Sequence, residues 1–210
     1  MPLPPLATQT DLEDALQRTL DPTQAAAALR RASAKVRGYC RQELTFHAQD
    51  TIEIPGGTRH LLVPQRPLVV DADNPLTITE LAGTAGIELP CLEGRDYTRL
   101  GPKLTRAEAY WQPTRLMGWP RTHPQGIWAD RIRLTYSHGY TTVPDDILDI
   151  VVDLATMTMT NPQGLRSESI DDYSRTFASE TIGAGTLTPD HRRTLNAYRL
   201  SPAYSVAPTR

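Results

Sequence analysis

Residues 131–162 decide the fold, and they read RIRLTYSHGYTTVPDDILDIVVDLATMTMTNP. The first part of this stretch alternates, with Ile132, Leu134 and Tyr136 on one side, which is typical of a half-buried strand. Gly139 breaks the alternation and can adopt the positive φ that a sharp turn needs. We therefore predict a strand that ends in a tight turn.

The second part of the stretch predicts a buried helix. Pro144 fits the start of a helix, where its missing N–H is not used, and Asp145 and Asp146 suit the positive end of the helix dipole. Apolar residues cover more than half of the helix surface, which indicates burial on most sides: Ile147, Leu148, Ile150, Val151, Val152, Leu154 and Ala155. The Asn-Pro-Gln-Gly run at 161–164 should end the helix.

Composition bounds the class of protein. A chain of 210 residues can form one domain, or a core with one sizeable insertion. The net charge of −2 argues against a generally cationic nucleic-acid binder. Cys40 and Cys91 form no CxxC motif and indicate two thiols in a reducing compartment. The N-terminus lacks the pattern of a signal peptide, and no run of about 18 apolar residues predicts a membrane span.

Two helices are predicted before residue 47. Thr8 or Thr10 can cap the first, and Asp21-Pro22 can end it and start a second helix that runs to about Glu43. The second helix has a buried stripe at Ala25, Leu29, Ala32, Val36, Tyr39 and Cys40. A neighbouring basic stripe holds Arg30, Arg37 and Arg41; either it faces DNA or a charged subunit, or it is a solvated face, which is the commoner case.

The period changes from 3.6 to 2 after Ala48. Residues 51–54 and 60–63 flank a Pro-Gly-Gly turn and predict a hairpin. Further strands are predicted around residues 68–70, 76–79, 86–89, 96–99 and 107–111. Short strands with this punctuation predict a small antiparallel sheet or open barrel, inserted between the helices.

Three tryptophans and an arginine stand out in and beside a loop rich in proline and glycine: Trp111, Trp119, Trp128 and Arg121. Three interpretations remain open. These side chains form a subunit contact, since Trp and Arg are favoured interface anchors, or the rings stack on nucleic-acid bases, or they cap an open barrel end.

The C-terminal part predicts a hairpin or extended arm near residues 167–177, then a linker and a short helix from Thr188 to about Arg199. That helix is too short to be stable alone, so we expect it to dock on its own core or on a partner. The whole chain is thus α+β. It has a helical core, made of two N-terminal helices and a buried central helix, with the inserted β region and a C-terminal arm. The segments are 1–47, 48–136, 137–180 and 181–210.

No motif for catalysis is present. The chain has no nucleophile elbow, zincin motif, Walker loop or dinucleotide fingerprint, and its five histidines show no metal-ligand spacing along the sequence. Asp145, Asp146 and Asp149 have ordinary structural explanations at a helix start. We expect no enzyme, no cofactor and no metal site.

The strand with Tyr-x-x-Gly-Tyr at 136–140, the Val-Pro-Asp-Asp-Ile helix start at 143–147 and the Asn-Pro-x-Gly stop at 161–164 resemble the head-to-tail adaptor family of tailed bacteriophages. These are connector, or head-completion, proteins below the portal. The similarity extends to the N-terminal helices and weakly to the C-terminal tail.

The resemblance implies a structural virion protein of the neck. It implies a dodecameric ring under the portal, joined to the next neck protein (the stopper), around a channel that passes DNA without sequence-specific recognition. The location would be the head–tail interface of the virion, and the host cytoplasm during assembly. By this analogy, the C-terminal segment binds the portal through Arg192, Arg193, Leu195, Tyr198 and Arg199. The β region contacts neighbouring subunits, with the tryptophans and Arg121, or the next neck protein, and the basic stripe is a candidate channel lining.

Two other classes remain open. One is a different neck or tail component, such as a stopper or tail-terminator ring, which would be mostly β. The other is a small enzyme or DNA-binding accessory protein, for which salt-sensitive DNA binding by the monomer would be diagnostic.

Overall fold

The computed structural model describes residues 3–82, 87–107, 126–160, 167–170, 173–176 and 186–200. Within these ranges the chain forms four helices and ten strands. It divides into a helical unit, Met1–Thr45 with Tyr140–Leu200, and a β unit, Phe46–Gly139. The prediction of an α+β fold with a helical core and an inserted antiparallel β region is confirmed. The finer division into four segments stays a prediction.

Helix α1 spans Gln9–Leu16 and is held by a reciprocal cap. The Thr8 hydroxyl accepts from the Asp11 backbone N–H, and the Asp11 carboxylate accepts from the Thr8 N–H at 2.7 Å. Two unpaired donors of the first turn are thereby satisfied. Gln17, with φ of 51°, ends the helix.

Helix α2 spans Pro22–Cys40, with Asp21 as its N-cap as predicted. The Asp21 carboxylate accepts from the Gln24 N–H at 2.9 Å. Arg41 adopts the left-handed conformation, φ 59°, and stops the helix three residues earlier than expected.

Helix α3 spans Asp145–Thr160, starts directly after Pro144 and is the predicted central helix. Helix α4 spans Pro189–Leu195, with Thr188 as its N-cap. The hairpin interpretation of the 167–177 segment is supported by two paired strands, β9 (Ser167–Ile170) and β10 (Tyr173–Thr176). All four helices contribute to one core.

The core of the helical unit also contains part of the N-terminal lead-in. Leu6 and Ala7 are buried, and the Leu6 N–H donates to the Ser33 hydroxyl at 2.9 Å. The main core residues come from α2 and α3: Ala25, Ala28, Leu29, Ala32, Val36, Cys40, Ile147, Ile150, Val151, Leu154 and Ala155. The buried stripes predicted for both helices therefore face each other.

The β unit contains a first antiparallel sheet in the order β1-β8-β4-β5. Its strands are β1 (His47–Pro55), β4 (Thr77–Ala82), β5 (Ile87–Cys91) and β8 (Arg131–His138), with β3 (Leu68–Val69) paired to the end of β8. Strand β8, which begins the 131–162 stretch, is thus an interior strand of this sheet. Its alternate residues Ile132, Leu134 and Tyr136 are fully buried.

A second antiparallel sheet has the order β2-β7-β6. Its strands are β2 (His60–Leu62), β6 (Tyr97–Leu100) and β7 (Lys103–Arg106). Both sheets contribute to a common core with Trp128: Ile52, Ile54, Leu61, Val63, Ile78, Tyr97, Leu104, Ile132, Leu134 and Tyr136.

The predicted hairpin of residues 51–54 with 60–63 is wrong. Strand β1 pairs with β8, and β2 pairs with β7 in the other sheet. The Pro-Gly-Gly run instead connects β1 of the first sheet to β2 of the second. The Gly56 N–H donates to the Asp130 carbonyl at 2.8 Å, which holds the run against the segment before β8. A Cβ on Gly56 would lie 1.7 Å from the Ala129 carbonyl oxygen, so glycine serves a close backbone approach there.

In the part of the chain that the structure describes, no helix combines the length and the apolar character that a membrane crossing requires.

Candidate assembly interface

The C-terminal segment that was predicted to dock packs on the helical core of its own chain. The Leu195 side chain is fully buried in that core, and Leu200 is nearly so. The Leu200 N–H donates to the Cys40 carbonyl at 3.0 Å, which ties the segment to the end of α2. Leu195 is therefore an anchor within the chain, and its role at a portal stays a prediction.

Tyr198 is held by a carboxylate at the start of α3. Its hydroxyl donates to the Asp146 carboxylate, with oxygen–oxygen distances of 2.8 and 2.9 Å. Its ring meets Tyr140 edge to face, with centroids 6.2 Å apart. Burial, followed by the hydrogen bond to Asp146, raises the pKa of Tyr198 to about 12. Asp146 thus serves both the helix start and the docking of the C-terminal segment.

Arg199 and Tyr39 form a second contact on the same segment. The Arg199 guanidinium lies 5.0 Å from the centre of the Tyr39 ring, and the Tyr39 hydroxyl donates to the Asn196 side-chain oxygen at 2.8 Å. A cation over an aromatic face is stabilising by about 0.5–1 kcal/mol at exposed sites. Arg199 therefore also has a partner within the chain.

Arg192 and Arg193 are the predicted portal residues whose side chains face outward. Both are exposed, and Arg193 pairs with Asp190 at 2.9 Å, a contact in which both side chains are more than four-fifths exposed. An exposed pair of this kind contributes little to stability. These two guanidinium groups are available to a partner.

The basic stripe of α2 likewise contains two exposed arginines and one that is bound within the chain. Arg30 and Arg41 are exposed. Arg37 is half-buried and donates to two carbonyls of its own chain, Glu43 at 2.8 Å and Pro4 at 2.6 Å. Arg37 therefore holds the N-terminal lead-in against the end of α2.

The tryptophan cluster is described only at Trp128; Trp111, Trp119 and Arg121 lie outside the described residues. The Trp128 indole is 1% exposed. It contacts Tyr97 at a centroid distance of 5.8 Å, and the Arg106 guanidinium lies 5.4 Å from its ring centre. This ring belongs to the core of the β unit, and its part in a subunit contact stays a prediction.

A buried charge centre lies beside that indole, and no local sequence pattern predicts it. Arg106 and Glu80 are both nearly fully buried and form a bidentate salt bridge. Arg106 Nε lies 3.2 Å from Glu80 Oε1, and Arg106 Nη2 lies 3.3 Å from Glu80 Oε2. Glu80 also accepts from the Ala129 N–H at 3.2 Å, and Arg106 donates to the Asp96 carbonyl. The centre therefore joins both sheets and the segment before β8.

Asp96 completes this centre. Burial opposes its ionisation, but hydrogen bonds from Arg95 and from the Leu92 N–H outweigh burial, so the pKa of Asp96 is lowered. Satisfied buried charges of this kind favour one register over others. We assign this cluster a structural role.

Two histidines that the sequence keeps far apart are neighbours in the β unit. The His47 and His138 rings stack at a centroid distance of 5.7 Å, and His138 Nε2 lies 3.4 Å from the Asp50 carboxylate. The absence of metal-ligand spacing along the sequence therefore did not exclude such a group in space.

Two solved structures are similar to the whole chain. One, the neck of an empty GTA particle computed with C6 symmetry, aligns with a TM-score of 0.51 and 15% identity over 96% of this chain and 93% of that one. The other, the neck of a native GTA particle computed with C12 symmetry, aligns with a TM-score of 0.48 and 16% identity over 96% of each. No family model and no curated protein matches the sequence. At this identity, the first likeness shows a shared fold.

Proposed function

We propose that this chain is a structural neck protein of a phage-like particle, and specifically a head-to-tail adaptor. The observation that carries the proposal is the fold shared with a neck chain over nearly the full length of both. The resemblance of residues 136–164 to phage adaptors points independently to the same part of a particle. The separate helical unit also distinguishes the chain from a mostly β stopper or tail-terminator ring.

The proposed assembly is a homo-oligomeric ring under the portal, around the channel through which DNA passes. The similar neck was computed with C6 symmetry, which suits a ring whose copy number is a multiple of six. The resemblance to adaptors favours twelve copies. Exposed Arg30 and Arg41 are the proposed channel-facing charges, which would contact passing DNA without reading its sequence.

The proposed portal contact uses Arg192, Arg193 and residues 201–210. Leu195, Tyr198 and Arg199 act by holding α4 on the helical core, so that the two arginines are presented on a fixed surface. Because α4 is already held on the core, its own ordering adds no entropic cost to binding. Many such weak contacts around a ring add up through effective concentration.

The β unit is the proposed contact with neighbouring subunits or with the stopper. It carries exposed apolar side chains near strand ends, with Leu100 80%, Ile87 55% and Leu92 54% exposed. Exposed apolar groups on an edge strand are unfavourable in water unless a partner covers them. Trp111, Trp119, Trp128 and Arg121 remain candidates for the same contact.

The decisive experiment is electron microscopy of particles from a virus that lacks this gene. DNA-filled or leaking heads beside separate, complete tails would support the adaptor function. Intact infectious particles would refute it, and heads without assembled tails would indicate a tail component instead.

A binding experiment tests the portal face. We expect the double variant Arg192→Glu and Arg193→Glu, and a chain ending at Leu200, to lose co-sedimentation with assembled portal rings. Arg18→Glu, a charge reversal on an exposed residue of the helical unit, is the matched control and should bind normally. Normal binding by both altered chains would place the portal contact elsewhere.

A further inference from the structure

A group of three potential metal ligands lies where β1 meets the end of β8. One ligand atom each from His47, Asp50 and His138 lies within 4.8 Å of the other two. His138 is fully buried, the Asp50 side chain is 12% exposed, and His47 is exposed. The group is thus anchored in the protein and open to solvent on one side.

A β-bulge brings these side chains onto one face. Residues three apart on a regular strand point to opposite faces. Here His47 pairs with His138 and Asp50 pairs with Tyr136, so between these two pairs β1 contains one more residue than β8. The extra residue reverses the alternation, and Asp50 therefore faces the same side as both histidines.

The bulge is built with a backbone conformation that has an energetic cost. Gln49 has a φ of 51°, which costs about 1 kcal/mol or more for a residue other than glycine. Its N–H donates to the Ser137 hydroxyl at 3.0 Å, and Ser137 in turn donates to Asn74 at 2.9 Å. Such strain is maintained by the surrounding contacts, and bulges of this kind often re-aim side chains at functional sites.

The separation between His138 and Asp50 fits one small ion. His138 Nε2 and the Asp50 oxygen are 3.4 Å apart, and two ligands about 2.0–2.1 Å from a tetrahedral zinc ion are separated by about 3.3 Å. A nitrogen of His47 lies within 4.8 Å of a ligand atom of both His138 and Asp50. His47 is exposed, so its ring has room to turn out of its stack with His138 and direct that nitrogen at a shared ion.

The ligand types decide the class of ion. Two imidazoles and one carboxylate suit zinc and its neighbours in the first transition row, whereas calcium and magnesium prefer oxygen ligands throughout. We propose that His47, Asp50 and His138 bind one divalent transition-metal ion of the zinc type. The ion joins the start of β1 to the end of β8, and a fourth position faces solvent. This proposal does not depend on the adaptor function.

The test uses the full, tag-free chain after treatment with a chelator. Zinc uptake is measured by equilibrium dialysis with elemental analysis, and Co²⁺ is used as a spectroscopic substitute that reports tetrahedral coordination. We expect one zinc ion per chain and a melting temperature that rises with zinc concentration, because an ion that binds only the folded state stabilises it.

Two variants and one control make the result specific. His47→Ala should weaken zinc binding at least about tenfold, as loss of one of three ligands implies, and Asp50→Asn gives a second reading if the first variant folds poorly. His60→Ala is the control, because His60 is an exposed histidine of the same unit that contacts Thr105. No zinc uptake by the wild-type chain, or equal uptake by wild type and both ligand variants, would overturn the proposal.

Discussion

Replacing Tyr198 by Phe tests how firmly the C-terminal segment is held. The change removes one oxygen and keeps the ring that packs against Tyr140. The lost hydrogen bond reaches a carboxylate at 2.8 and 2.9 Å, and hydrogen bonds to charged groups contribute about 1.5–3 kcal/mol.

Two features place the effect at or below the lower end of that range. The Tyr198 side chain is only half-buried, and Asp146 keeps a second donor, the Ile147 N–H at 3.0 Å. We therefore expect the free energy of holding the segment to fall by about 1–2 kcal/mol. That corresponds to a factor of about 5–30 in the population of the opened segment.

The effect should depend on pH in a defined direction. The pKa of Tyr198 is raised in the folded chain to about 12, whereas a free tyrosine titrates near pH 10. Its stabilising contribution is therefore complete below about pH 10 and is lost as the pH rises from about 10 to 12. The difference between wild type and Tyr198→Phe should shrink over that interval.

The assay is amide hydrogen exchange at Leu200, whose N–H donates to the Cys40 carbonyl, together with urea unfolding at pH 8 and at pH 11. Tyr39→Phe is the matched control, because Tyr39 donates to the neutral Asn196 amide at an exposed site and should matter less. Unchanged protection of Leu200 in Tyr198→Phe at pH 8, or a difference in urea unfolding that persists undiminished at pH 11, would refute the reasoning.

Three further predictions concern the cores. Glu80→Ala should cost about 3–5 kcal/mol in urea unfolding, since it leaves a buried guanidinium without its carboxylate. The double change Glu80→Leu with Arg106→Met should cost less, because both charges of the pair are removed together and the Ala129 N–H and the Asp96 carbonyl each lose one partner. Burial raises the pKa of the Cys40 thiol to about 11, so a thiol reagent at pH 8 should label it only as fast as the chain opens, which peptide mass spectrometry can follow. Gly56→Ala should cost about 3 kcal/mol, because its methyl group would overlap a backbone carbonyl; Gly38→Ala, on an open face of α2, should instead stabilise by about 0.5–1 kcal/mol. Thermal melts that rank these two alanine variants in the opposite order would contradict that account.

Local signals predicted the helical unit well. The Asp21-Pro22 start, the capping residues and the apolar stripes all act within one or two helical turns, so the sequence carries them directly. The strand before Gly139 and the helix after Pro144 were legible for the same reason. In each case the tertiary structure agrees with the local preference.

Sheet pairing was less legible, since partners are chosen by distant contacts. The Pro-Gly-Gly run has the composition of a hairpin turn, but it connects strands of two different sheets. The close approach of Gly56 to Ala129, which is distant in sequence, accompanies this crossing. The hydrophobic pattern does not predict strand β7, because Leu104 is its only apolar residue. Its other buried side chain, Arg106, is buried through its ion pair with Glu80. No periodicity argument places an arginine in a core.

The histidine group was invisible for a related reason. Asp50 and His138 are 88 residues apart in sequence. Their approach depends on a β-bulge at Gln49, where the sequence has no glycine or other typical turn residue to predict it. The C-terminal helix was a different case. The sequence showed that α4 needs a surface to pack on, but the choice between its own core and a partner required the tertiary contacts of Leu195 and Tyr198.

The anchoring of Leu200 on the Cys40 carbonyl sets a tether radius for residues 201–210. Ten residues span at most about 35 Å when fully extended, and their root is fixed on the end of α2. Any surface that this decapeptide engages must therefore lie inside a sphere of that radius centred on Leu200. A crosslinker placed at residue 210 would test this distance limit on any protein that the segment contacts.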